Sequence, residues 1–222
     1  MKAPRLLLIT GMLAAGCSPR NEAPALNETA ATYGYLQKVG RIRSLINADN
    51  KERIPAMIRS RDSVMLGAEG AKMEEYKRTV SAIASAGVDP DALVFTRNFE
   101  AILDSYRAVC MDSAELFREM KEANARPKVP VIALPEVITA GTEASQYDTI
   151  GTIDALLASL DRIDTSAKAG SVFLQPIVSK VRADRDGLRS AKAEHHTFTL
   201  KLKTELMRRH PGMDWASKEI LP

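Results

Sequence analysis

Between Ile177 and Leu206 one positional rhythm dominates the sequence. Ile177, Val181, Leu188, Ala191, Phe198, Leu202 and Leu206 follow at steps that sum to threes and fours, with Asp184 and His195 at the two places where an apolar residue is missing. That is nearly a heptad seam, and it demands a long helix crossing its neighbours at a shallow angle. The same helical period governs most of the chain, and no segment alternates as a strand must. The fold class this predicts is all-α.

Four further helices follow from the same reading. Tyr35, Val39, Ile42 and Ile46 set a first helix over about residues 28–47, closed by the turn-forming cluster Asn47-Ala48-Asp49-Asn50. A second starts between Asn50 and Pro55 and carries Ile58, Met65, Ala68, Tyr76, Val80 and Ile83, with Gly67 and Gly70 weakening its middle. Gly87-Val88-Asp89-Pro90 is strong punctuation: a glycine suited to a left-handed cap, an N-cap aspartate and a proline at the first helical position. A third helix then runs to about residue 125 on Phe95, Phe99, Ile102, Tyr106, Val109, Cys110, Ser113, Phe117 and Met120. Pro127, Pro130 and Pro135 rule out helix over 126–141, and Val129 to Leu134 reads as extended. Such a segment reaches ~50 Å, enough to run the length of a bundle. The fourth helix covers about 143–165 with Ile150, Ile153, Leu157 and Leu160 inward, and the fifth runs from near Pro176 to His210-Pro211-Gly212. The sole Trp, Trp215, predicts that the tail folds back.

The architecture is therefore an elongated antiparallel bundle of about five helices. The first and fourth helices, laid end to end, match one long arm and give a four-helix-bundle-like cross-section. In domain terms, residues 28–210 form the bundle, including the extended connection 126–141, and 211–222 form a C-terminal tail.

The N-terminus has a different character. Lys2 and Arg5 precede the apolar run Leu6-Leu7-Leu8-Ile9-Thr10-Gly11-Met12-Leu13, which is too short to span a bilayer as a resident helix. Leu13-Ala14-Ala15-Gly16-Cys17 resembles the lipobox of bacterial lipoproteins, with Ala14 where leucine is usual. The resemblance implies a signal peptide over 1–16, diacylglyceryl and acyl chains on Cys17, and a lipidated tether over 17–27. Ser18, rather than aspartate, follows the cysteine, which on the same resemblance favours the outer membrane facing the periplasm. Two or three chains at ~0.8 kcal/mol per buried CH2 suffice for stable attachment. The mature chain would carry 29 cations against 28 anions, since Lys2 and Arg5 leave with the signal and the precursor has 31 and 28.

Balanced charge and 5% aromatic residues exclude a dedicated nucleic-acid binder. Two Cys residues, one of them consumed by lipid, exclude a disulfide scaffold, and no Cys/His spacing suits structural zinc. Phosphate loop, nucleophile elbow, zincin helix and haem motifs are absent, so neither catalysis nor a cofactor is expected.

Five features hold possible chemistry. His195 and His196 cannot present both imidazoles to one metal from adjacent helical positions, so His195 reads as a core histidine, with a ligand or pH-sensing role as the alternative. Met207, His210 and Met213 offer soft donors of the kind Cu(I) prefers, and with His195 they are the weak metal candidates. Met207 reads more simply as the end of a hydrophobic stripe. Cys110 reads as a buried, inert thiol. Asp184, flanked by Arg182 and Arg185, reads as a structural polar core residue paired across the bundle, or as a seam open to water. Arg182, Arg185, Arg189 and Lys192, interleaved with Asp186 and Glu194, read as a solvated outer face or a contact for anionic envelope material. The functional expectation is a membrane-anchored extracytoplasmic lipoprotein, non-catalytic, that scaffolds or contacts an envelope protein. The alternative is a periplasmic module with a small-ligand or metal site between helices near His195, Asp184 or Cys110. Neither the natural partner nor the oligomeric state is encoded in any motif.

Overall fold

The computed structural model describes residues 22–125, 148–166, 174–217 and 220–221. Within them every regular element is helical, and the helices pack as a bundle. The signal, Cys17 and the 126–141 connection lie outside the described residues.

Helix α1 (Glu22–Ala48) begins inside the stretch read as tether. Pro24 is tolerated there because the first turn leaves its N–H sites unpaired in any case. The helix does not stop at residues 47–50. It continues through a π-helical segment (Asp49–Arg53) into α2 (Ile54–Ser60), with Ala48 and Ile54 both in ordinary right-handed geometry. Tertiary pairing overrides the local turn preference: Asp49 is buried and takes Lys72 Nζ at 2.7 Å, and Lys72 also reaches Glu69.

The true break lies at Arg61, where φ is +57°. Asp62 N–H donates to Met57 O at 3.0 Å, a helix-ending bond back across the turn. The Asp62 side chain then caps α3 (Ser63–Ser81), accepting Met65 N–H at 2.9 Å. The break resets the helical phase. Leu66, Gly70, Met73 and Val80 face inward, while Met65 and Ala68, expected in the stripe, are exposed. Gly70 allows close approach, since a Cβ there would lie 2.9 Å from Met111 Sδ.

Gly87 has the expected positive φ, but in the loop, because α3 ends six residues earlier. Asp89 and Pro90 open α4 (Pro90–Asn124) as read, and the whole predicted stripe of α4 is buried. The last elements are α5 (Thr149–Ser166) and α6 (Gln175–Arg209).

Helix directions follow from cross-helix pairs. Lys77–Asp104 and Arg107–Glu74 set α3 antiparallel to α4; Lys180–Glu115 and Arg209–Asp91 set α6 antiparallel to α4. Along α6 the neighbour changes. Its C-terminal half faces α1, whereas Arg182, Arg185 and Arg189 reach Asp161 and Asp154 of α5 and Lys192 reaches Asp148 just before it. At the changeover Thr149 Oγ1 donates to Asn50 O at 3.0 Å, so the start of α5 is tied to the π segment of α1. The first and fourth predicted helices are therefore not laid end to end: α1, the π segment and α2 together match the length of α6, and α5 lies beside α2.

The tail folds back onto the other end. Trp215 is buried, with its ring edge against Tyr33 at 5.5 Å between centroids, and Ile220 and Leu221 are buried beside it.

Candidate functional site

Three helices frame a cavity of about 160 Å³ in the half of the bundle where α1 faces α6. Arg43, Ile46 and Asn47 share one face of α1 at helical spacing; Phe99, Ile102 and Tyr106 do so on α4; Lys192, His195, His196 and Thr199 do so on α6. Each set is one stretch of a stripe that elsewhere interdigitates. Here the α1 wall ends at the π segment, a local widening of helical geometry of the kind often found at functional sites.

His195 is 8% exposed, and neither ring nitrogen has a hydrogen-bond partner among the described residues. Its ring lies 4.6 Å from that of Phe95 and 5.9 Å from that of Phe99, centroid to centroid. Burial, and secondarily the Arg43 and His196 charges, push the imidazole down to about 4. It is therefore neutral at neutral pH, with one N–H donor and one lone-pair acceptor. Thr199 Oγ1 donates to the His195 carbonyl at 2.7 Å, so that hydroxyl proton is committed to the helix.

Arg43 is the buried cation of the site. Its Nη2 donates to Ile220 O at 3.3 Å, and its guanidinium carbon sits 5.9 Å from the Phe95 centroid. Burial lowers it to about 10, which still leaves it charged at neutral pH. Lys192, at the rim, pairs with Asp148 Oδ2 at 3.0 Å. None of the lining side chains is a carboxylate. Burial pushes the Tyr106 phenol up, so it too stays protonated and neutral. A cationic, carboxylate-free wall facing an apolar one is a setting for binding, with no nucleophile–base pair in it.

His210 forms a second polar centre at the end of α6. Its Nδ1 meets Thr29 Oγ1 at 2.8 Å and its Nε2 meets Asp89 Oδ2 at 3.2 Å. Glu28, Asp89 and His210 place ligand atoms within 4.8 Å of one another. Arg209 Nη1, however, stands 2.8 Å from the same Asp89 oxygen and already supplies the positive charge. With Trp215 Nε1 donating to His210 O at 2.9 Å, the arrangement ties α1, the start of α4 and the tail together. Of the soft donors read with His210, Met207 is 46% exposed and Met213 is half-buried against the core.

Cys110 is buried, and its thiol is pushed up to about 12 by burial and then by the Glu69 and Asp49 charges. Asp184 is half-buried and does meet a residue across the bundle, though a carboxyl and not a cation. Its neighbouring arginines turn to α5, and its carboxyl faces Asp112 of α4. Burial, then the Asp112 contact, raise it to about 7, against a lowering by Lys180. The α6 basic row likewise is no free outer face: spacing places its residues side by side without revealing the aspartates of α5 opposite. Arg43 was missed altogether, because an arginine on a helix reads as solvated until a partner helix and tail are known to cover it.

No family model, no curated protein and no solved structure matches this chain.

Proposed function

We propose that this chain is a lipid-anchored, non-catalytic helical module of a bacterial cell envelope, attached through acyl chains on Cys17 and facing the periplasm from the outer membrane. The Leu13 to Cys17 motif supports the anchor. Among the described residues no helix is long and apolar enough to cross a membrane, so attachment through lipid asks nothing of the bundle. Helix α1 starts five residues after Cys17, a chain length of at most ~18 Å. The Trp215 end of the bundle then lies towards the membrane, and the Arg61 turn lies ~60 Å along the rod. An envelope protein partner could meet that distal surface.

Between a solid scaffold and a ligand-binding module, one observation favours the second: the cavity holding an unpartnered buried His195. A scaffold has no use for the cost of such a group. The anchoring half of the proposal is tested by intact mass and fractionation. The protein from membranes should lack residues 1–16 and carry the added mass of acyl chains, and Cys17→Ser should leave the membrane fraction. A bare thiol, an uncut leader, or a membrane-bound C17S protein would overturn it.

A further inference from the structure

We propose that the cavity between α1, α4 and α6 binds a small monocarboxylate with an apolar body, its carboxylate taken by Arg43 and the His195 N–H. This rests on the reading of the bundle as a ligand-binding module and adds the chemical class of the ligand.

Size comes first. A cavity of about 160 Å³ is of the order that accommodates a single benzene-sized group. Lipids, nucleotides and peptides are too large to be enclosed there, and inorganic anions would leave the apolar wall unused. Charge comes second. The polar lining carries the Arg43 guanidinium and no carboxylate, Lys192 at the rim being paired with Asp148, so it suits an anion better than an ammonium group. The third observation is the orphaned imidazole: His195 is more than nine-tenths buried, lines the cavity, and has both nitrogens unpartnered among the described residues. A carboxylate oxygen accepting its N–H would remove that penalty, and a guanidinium beside it makes the hydrogen bond charge-assisted. Phe99 and Ile102 opposite offer the surface for a flat or branched hydrocarbon body. Position agrees with use, since the rim residues Asn47 and His196 are exposed and leave an entrance from solvent.

The test uses the full chain in detergent and four probes: benzoate, its neutral analogue benzyl alcohol, its cationic analogue benzylamine, and phosphate. Binding is read by calorimetry and by the nitrogen shifts of the His195 ring. Benzoate should bind saturably, shift both His195 nitrogens, and bind about 10- to 100-fold more tightly than benzyl alcohol, the ratio a charge-assisted hydrogen bond supplies. Benzylamine and phosphate should not bind. Arg43→Gln should weaken benzoate by a similar factor and leave benzyl alcohol unchanged. Because Arg43 also holds the Ile220 carbonyl, Ile46→Phe offers a second variant that fills the cavity from its apolar wall and should abolish both. Benzyl alcohol binding without benzoate would overturn the carboxylate assignment while leaving the binding-module reading intact. Benzylamine matching benzoate would overturn the charge argument. Failure of all four probes in the wild-type protein would overturn the carboxylate assignment and the reading of the cavity as a ligand site, and leave the anchor at Cys17 untouched.

Discussion

The two halves of α6 follow one apolar rhythm and end in opposite electrostatic states. In the half against α1, the polar seam residue is His195, held neutral among aromatic rings beside a buried guanidinium. In the half against α5, it is Asp184, held against a second carboxylate while every nearby arginine serves α5. A seam position specifies burial, and the helix opposite decides what burial does to charge. The first half becomes a receptive cavity and the second a docking stripe of cations on aspartates.

The strongest challenge to this contrast is Leu188→Ala, at a fully buried position between the halves. It should cost ~2–5 kcal/mol. Unfolding followed by Trp215 fluorescence and by far-ultraviolet dichroism should still coincide. Two separated transitions would mean that the halves are independent bodies.

Acid titration separates the halves by sign. The folded His195 pKa lies below the unfolded 6.5, so its stability is fully present above pH 6.5 and lost as pH falls towards 4, on the order of 3 kcal/mol in all. His195→Leu should erase that loss in denaturant titrations taken at pH 4 and 7. Asp184 acts the other way. Its folded pKa lies above the unfolded 3.8, so its contribution is present below 3.8 and disappears as pH rises through about 7. Asp184→Asn should raise stability at pH 8 by less than about 1 kcal/mol, discounted for its half-exposed position, and have little effect near pH 4. Between pH 4 and 6.5 the two slopes oppose each other, so the wild type should be flatter with pH than the D184N protein. A wild type steeper than D184N would break the pairing.

The smallest effect is expected at Asp154, which receives both Arg185 and Arg189. Asp154→Asn should cost below about 1 kcal/mol, fade in high salt, and speed amide exchange in α5 more than in α1.

The sequence was most legible where one helical pattern runs unbroken from its cap to its end. The α4 stripe and the Asp89-Pro90 start are local facts and came through intact. The α1–α3 region did not, because Asp49 and Asn50 favour a turn locally and become helical only through Lys72, Glu69 and Thr149 from other elements. Placing the break at Asn47–Asn50 then carried a wrong phase from Ile58 to Met65. Of the candidate site, His195 stood out as a polar residue in an apolar rhythm. Arg43 did not, because its burial depends on Ile220, 177 residues away. Asp184 was visible as an anomaly, but its partner Asp112 lies on a helix that spacing alone cannot align in register.

The π segment turns the long N-terminal rod into something like a gear with one extra tooth. Five residues at the wider π pitch turn through about the same angle as four at α pitch, so the extra residue is absorbed and Ile54, Met57 and Ile58 keep their inward phase. If the same five residues took regular α pitch, everything beyond them would rotate by about 100° and that apolar set would swing out of the interior. Removing one residue from 49–53 should therefore cost less than inserting one beyond the segment, because the bulge already holds the slack.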